Sequence, residues 1–379
     1  MFFQPHISGA YIGEGIKRLG RNLLTTFYRS PNGWSPPPVL VVLRPTERCN
    51  LSCKMCFDRG ENVVSEKWGK DGESSELSEP AWRLLIAELA VFQPTFYITG
   101  GEPLLSEKLL AIVSEIKSRG FYISINTNGT LLKKMASDLV KARVDKIIVS
   151  LDGPKDIHDS IRGDTFDSIA EGIARLEAEK KRRRRSLPFI RAQCVISPDN
   201  FHCISAALSE FEKLGLREVR LQHLSFAFSR EDFYIDDFIE SVALRARIST
   251  VILPGEAIDV SVLRAQLLEI RQKQRLKVVR YEPEIKFDDL EGYYRDPDYG
   301  FTDFCFSPWR RLVVSPGGEM GPCPGIYLGK YPETTPSRIW RGDAFRAFRR
   351  RIMEKGLFKH CIRCCHREYY PPRIGLAIS

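Results

Sequence analysis

Three cysteines, Cys49, Cys53 and Cys56, stand in the run Arg48-Cys49-Asn50-Leu51-Ser52-Cys53-Lys54-Met55-Cys56. Their spacing lets one loop wrap three corners of a 4Fe–4S cubane. Three thiolates leave one iron without a protein ligand and open to a small molecule. Structural zinc wants four closed ligands and fits a triplet without a neighbouring histidine poorly.

A second constellation lies near the C-terminus. Cys305 is followed by Gly318-Glu319-Met320-Gly321-Pro322-Cys323 and then by Cys361-Ile362-Arg363-Cys364, with Cys365 and His366 next. Four thiolates from Cys305, Cys323, Cys361 and Cys364 could close a cubane fully. They could equally hold zinc. Sequence does not separate Cys364 from Cys365, although the spacing favours Cys364.

The elements that must position these residues alternate between strand and helix. Strands are expected at 39–43, 95–98, 122–126, 146–151, 189–196 and 219–224. Helices are expected at 79–91, 105–118, 131–141, 166–181 and 204–214. Apolar strands alternating with helices call for a parallel sheet. The fold class expected is α/β, a partial (βα)6 TIM-like barrel with a small C-terminal auxiliary-cluster domain. Reactive residues of such barrels sit at the C-terminal strand ends. Residues 1–38 read as an amphipathic helix (11–29) and a proline-rich linker, 39–224 as the barrel, 225–303 as a bridge and 304–379 as the cluster domain. The bridge should hold helices at 236–246 and 256–273, a strand at 277–281 and an aromatic turn at 293–299.

The first cysteine loop resembles the signature of the radical S-adenosylmethionine (radical SAM) enzymes. Thr99-Gly100-Gly101-Glu102-Pro103 resembles the family's glycine-glycine-glutamate-proline motif. The resemblance implies S-adenosylmethionine chelated to the open iron by its amino and carboxylate groups. It also implies reductive cleavage to a 5′-deoxyadenosyl radical that takes hydrogen from a substrate. Gly100 and Gly101 would let backbone approach the ligand, and Glu102 would accept from its ammonium group. Ser150, in Ser150-Leu151-Asp152-Gly153-Pro154, would bond the ribose, and Arg162 would pair with the cofactor's carboxylate. Asn126 would line the same mouth. Met55 stands where the family usually has an aromatic residue, and would touch the adenine through its sulfur. Gln222-His223 ends the sixth strand, where His223 is either a proton acceptor facing the mouth or a packed histidine. The second cysteine set, with Phe306-Ser307-Pro308-Trp309 and Ile339-Trp340, resembles the family's SPASM and twitch modules. No cysteine follows Cys365, which matches the smaller twitch form. Two 4Fe–4S clusters are thus expected, one radical SAM and one auxiliary. The auxiliary cluster would accept electrons in an oxidation or crosslinking, as in peptide maturation, sugar or alcohol oxidation, or tetrapyrrole modification.

Net charge is +9, which favours an anionic or acidic peptide substrate, or an acidic electron donor, a reductase such as flavodoxin or ferredoxin. Positive charge also simply confers solubility. The run Lys180-Lys181-Arg182-Arg183-Arg184-Arg185 reads as a solvated helix end complementing the dipole. Nucleic acid is not an expected partner, nor is a membrane. The N-terminus lacks the pattern of a secretory signal, and ten cysteines read as ligands and reduced thiols in a cytoplasmic protein. Readings from other classes are a non-enzymatic iron–sulfur or zinc protein on this scaffold and an RNA-modifying enzyme that uses the basic run.

Overall fold

The computed structural model describes residues 30–368 except 62, 69–75, 232, 233, 274, 275, 277 and 300–303. The expected helix at 11–29 lies outside the described residues. Fourteen strands are present among the described residues: β1 (Leu40–Leu43), β2 (Val63–Trp68), β3 (Thr95–Ile98), β4 (Ile123–Thr127), β5 (Lys146–Ser150), β6 (Phe189–Ile196), β7 (Glu218–His223), β8 (Phe226–Ala227), β9 (Arg245–Ile252), β10 (Val278–Glu282), β11 (Arg311–Val314), β12 (Glu319–Gly321), β13 (Ile326–Tyr327) and β14 (Gly329–Lys330).

Ten of them form one sheet in the order β10-β7-β6-β5-β4-β3-β1-β11-β12-β14. The run from β10 to β11 is parallel throughout. All six expected barrel strands are in it. Side-chain alternation divides each strand between two environments. In β4, Ile123 and Ile125 are fully buried against the outer helices, while Ser124 and Asn126 face the barrel cavity. The outer layer joins strand residues such as Phe96 and Ile98 to helix residues such as Trp82, Leu85, Ile112 and Phe211 in one apolar core. Each of these larger side chains contributes roughly 1.5–3 kcal/mol by burial.

The 225–303 stretch differs from expectation. The expected helix at 236–246 stops at Val242, and Arg245–Ile252 is β9. Apolar steps of three and four run up to Val242, but from Ala246 burial alternates with period two, which is a strand pattern. β9 pairs with β2, β13 and β8 in a second, four-stranded sheet. The expected turn at 293–299 begins as a helix, Leu290–Arg295, because Leu290, Tyr293 and Tyr294 fall on one buried face. β10 pairs with β7 and β11 with β1. Bridge and cluster domain therefore each add strands to the barrel sheet. The basic run ends the helix Phe166–Arg182, where Glu177 and Glu179 pair with Lys180, Arg182 and Arg183. Among the described residues no helix is long and apolar enough to cross a membrane.

The cysteine loop after β1 has no regular structure and leans on the turn after β3. Gly101 N–H donates to Thr46 O at 3.1 Å, and Glu102 N–H to Arg48 O at 2.7 Å. A Cβ on Gly101 would lie 2.2 Å from Arg48 O, and one on Gly100, at φ +140°, 2.5 Å from Thr46 O. The two glycines thus admit the cysteine loop's own backbone. Gly101→Ala should therefore cost on the order of 2–3 kcal/mol in denaturant unfolding of the metal-free protein. Gly255→Ala, where a Cβ would make only ordinary contacts, the nearest at 3.7 Å from Phe228, should cost less. Equal losses would show that the contact does not hold the loop.

Candidate functional site

Two cavities meet inside the molecule. One, of about 710 Å³, fills the barrel interior and is lined by Cys49, Cys53, Cys56, Met55, Gly100, Gly101, Asn126, Ser150 and Arg162. All but Arg162, which ends the helix Lys155–Arg162, come from strand ends or the loops just beyond them. The structure thus gathers nine of the residues expected at the first site. The other cavity, of about 950 Å³, is lined by Cys305, Cys323, Cys361, Cys364 and Cys365. Arg44, Phe57, Ser225, Pro324, Cys365 and His366 line both and form the wall between them.

Burial raises the Cys53 thiol, while the Arg162 guanidinium lowers it and charge on Asp152, Cys56 and Cys49 raises it again. Burial likewise raises Cys56, opposed by a backbone N–H of Asp58. Arg162 Nη1 stands 3.4 Å from Cys53 Sγ. Its Nε donates to Asp152, and the two form a buried ion pair. Arg162, expected at the cofactor's carboxylate, thus lines the cavity with its fork between the Asp152 carboxylate and Cys53 Sγ. Asp152 is fully buried and also accepts from Val195 N–H at 2.7 Å. Its own N–H donates to His158 Nδ1 at 3.2 Å, and His158 Nε2 meets Thr165 Oγ1 at 3.1 Å. Neutral imidazole with Nε2 protonated satisfies both contacts.

Glu102, expected at the cofactor's ammonium group, makes its hydrogen bonds within the protein. It is 1 % exposed. One carboxylate oxygen accepts from Leu104 N–H and Thr127 Oγ1, the other from Asn128 N–H. Burial raises its pKa, against the pull of the Asn128 and Leu104 N–H groups. It clamps two strand ends and does not line the cavity.

His223 does not face the mouth. In a strand successive side chains point to opposite faces, and Gln222 takes the cavity side. His223 is 1 % exposed, and its Nδ1 meets Tyr294 Oη at 2.5 Å. Burial drops its pKa to about 3.

In the second set, burial raises Cys305 to about 11 and also lifts Cys323, Cys361 and Cys364. Cys305, Cys323 and Cys361 each respond to charge on Cys364. Cys365 is coupled to Cys364, Glu282 and Arg311 instead. Cys364, like Cys305, Cys323 and Cys361, lines only the second cavity, whereas Cys365 lines both.

Sequence reasoning overlooked Asp152 and His158. Asp152 was legible as the acid two residues beyond Ser150, on the same strand-end turn. The helix Lys155–Arg162, which carries His158 and Arg162, is too short for a clear helical period.

The donor set fits the groups that such loops hold. Cavity-facing thiols bind as thiolates once a metal is present, and a guanidinium beside them offsets their charge. Asn126 Oδ1 and Gln193 Oε1 are buried without a hydrogen-bond partner on the cavity wall. Residues 43–187 match the Radical SAM superfamily, and residues 305–365 match SPASM, an iron–sulfur cluster-binding domain. Residues 43–187 thus place that part of the chain in the radical SAM superfamily. Residues 305–365 add a C-terminal SPASM domain, and the two matches imply S-adenosylmethionine and iron–sulfur centres.

Among curated relatives, Fe-coproporphyrin III synthase of Methanosarcina barkeri is 27% identical over 54% of this chain and 50% of its own length. A probable GTP 3′,8-cyclase of Saccharolobus islandicus is 30% identical over 54% of this chain and 65% of its own. The chain spans about half the length of the curated relatives it matches. Streptococcus suis SuiB bound to precursor peptide SuiA superposes with TM-score 0.59 at 14% identity, covering 96% of this chain and 79% of that one. The enzyme anSMEcpe, with bound AdoMet and the Cp18Cys peptide, gives 0.54 at 19% identity, covering 82% of each chain. At such identities the likeness is one of fold.

His158, held near 4 chiefly by burial, and His223 stay neutral in the native state while their unfolded forms protonate near 6.5. The unfolded state then binds more protons, so stability falls as pH drops from about 6.5 toward 4. Denaturant unfolding of metal-free protein should show this slope, and His223→Gln should reduce it by about one proton, or about 1.4 kcal/mol per pH unit. An unchanged slope would contradict a neutral native His223.

Proposed function

We propose that this protein is a radical SAM enzyme acting on a substrate held inside the barrel, with a second iron–sulfur centre as electron acceptor. The observation that supports the reading is the wall shared by the two cysteine-lined cavities, which would put both centres against one chamber. Cys49, Cys53 and Cys56 would hold a 4Fe–4S cluster with one open iron. S-adenosylmethionine bound there supplies hydrogen-abstracting radical chemistry. Arg162 keeps a positive charge against Cys53 and tempers the charge of the ligand sulfurs. Asp152 and His158 fix its position. Asn126, Gln193 and Ser150 offer polar contacts to a nucleoside from three neighbouring strands, and Met55 offers its sulfur. The apolar contacts of Met55 with Ile161 and Leu224 narrow the water path to the loop.

Cys305, Cys323, Cys361 and Cys364 would hold the auxiliary 4Fe–4S cluster. Cys365, which lines both cavities, is left as a free thiol in the wall. Net oxidation or crosslinking of the substrate follows from an acceptor on that side of the chamber. A flavodoxin or ferredoxin type of donor would reduce the first centre. SuiB with its precursor peptide and Fe-coproporphyrin III synthase mark two substrate classes that relatives of this scaffold serve.

Anaerobically reconstituted protein with dithionite and S-adenosylmethionine should release 5′-deoxyadenosine, and Cys53→Ala should abolish it. Iron content should be about eight per chain, about four in Cys364→Ala, and unchanged in Cys365→Ala. No cleavage by the wild-type protein would sink the enzymatic reading. A loss of iron in Cys365→Ala and not in Cys364→Ala would overturn the ligand assignment.

A further inference from the structure

The barrel cavity is strongly cationic. Eight Arg and Lys side chains line it, against three carboxylates, Glu218, Glu282 and Glu368. Arg162 faces the cysteine set and answers its charge. The inward positions of β5, β6, β7 and β10 below that level carry Lys146, Arg191, Arg220 and Arg280. Two carboxylates serve these four cations. Glu218 is shared by Lys146 at 3.6 Å, Arg191 at 3.4 Å and Arg280 at 3.2 Å, and Glu282 pairs with Arg220.

Arg191 is the most constrained member. It is 5 % exposed, and its Nε is buried without a hydrogen-bond partner while lining the cavity. Burial lowers its pKa, and the neighbouring Arg220 charge lowers it further. A buried guanidinium with an idle donor and a like charge beside it is an unfavourable arrangement unless an anion enters. The planar fork of arginine matches carboxylate and phosphate oxygens in bidentate geometry.

We propose that Arg191 and Arg220 form an anion subsite in the barrel interior that takes a carboxylate or phosphate group of the substrate. Lys146 and Arg280 add long-range attraction, and Glu218 orients Arg191. The subsite deepens the enzymatic reading above by naming the substrate's charge class. It selects an anionic substrate whose charged group lies deep in the chamber, with the reacting carbon above it, toward the cysteine loop.

The test uses reconstituted protein saturated with S-adenosylmethionine, so that the cofactor's own carboxylate does not compete. Citrate and pyrophosphate are titrated separately by calorimetry at low salt. One saturable site is expected for at least one of them, and the tighter probe distinguishes a carboxylate from a phosphate group. Arg220→Gln should weaken that binding tenfold or more. Arg191→Gln should do the same where it folds; Arg220, whose side chain is 30% exposed, keeps the test open where it does not. Arg182→Gln/Arg184→Gln on the surface run should leave binding unchanged. Absence of a saturable site, wild-type affinity in Arg220→Gln, or loss only in the surface variant would overturn the subsite and reduce the cluster to a structural ion-pair network. 5′-Deoxyadenosine release measured in parallel separates the two claims. Cleavage without anion binding removes the subsite alone, and anion binding without cleavage removes the enzymatic reading alone.

Discussion

The first site depends on how an irregular loop is held still. Residues 44–61 contain no helix or strand, so neighbouring strand ends must satisfy their backbone groups. The turn after β3 does so through Gly101 and Glu102, whose N–H groups reach Thr46 O and Arg48 O. The Glu102 carboxylate then ties that turn to the end of β4 through Thr127 and Asn128. Asn128 Nδ2 returns to the loop at Asn50 Oδ1, 2.9 Å away. Lys54 N–H donates to Ile161 O at 3.1 Å, at the end of the helix that also presents Arg162. A buried carboxylate costs several kcal/mol unless it is hydrogen-bonded. Three donors on Glu102 meet that cost, and the result is a loop registered against two neighbouring elements.

Charge placement follows the same logic. Arg162 sits between the Asp152 carboxylate and Cys53 Sγ. Burial opposes its charge, but Asp152 and Cys53 outweigh burial and raise its pKa. A single buried ion pair adds little net stability. Here it sets position: Val195 N–H and the His158 ring hold Asp152, and Asp152 holds Arg162. The cation beside the sulfurs is therefore fixed by residues that never touch a ligand.

Much of this was legible in the sequence, for reasons local to the chain. The six parallel strands declare themselves as short apolar runs, and both cysteine sets by spacing alone. Parity was harder. One register step separates Gln222, in the cavity, from His223, in the core beside Tyr294, and no local signal distinguishes the two. Glu102 was expected at the cofactor because its motif resembles the family's, and two of its three hydrogen-bond partners come from residues 25 and 26 positions away. β2 and β9 pair across 178 to 188 residues (Trp68 with Ala246, Val63 with Val251), and strand character that rests on a remote partner leaves a weak trace in sequence. The cationic chamber follows the same rule. Lys146, Arg191, Arg220 and Arg280 lie on four strands, and only the fold brings them together.

Two of the six wall residues, Cys365 and His366, lie in a second irregular segment. Residues 361–368 carry only the end of a short 3-10 turn, and arginine side chains fix them. Arg363, 4 % exposed, donates to Tyr293 O at 3.1 Å and Asp296 O at 2.5 Å. Its guanidinium also lies 4.9 Å from the centre of the Phe228 ring. Arg367 reaches back to Cys361 O and Ile362 O. Arg310 and Arg311, at the start of β11, pair with Glu368 at 3.2 Å each. The segment bearing Cys361 and Cys364 is thus anchored to the helix after β10 on one side and to β11 on the other. Those elements lie at the two ends of the parallel run. The second cysteine set is consequently registered to the barrel at both ends, and a shift of either end strand would move the two cysteine sets relative to each other. The two-sided anchoring holds that separation constant.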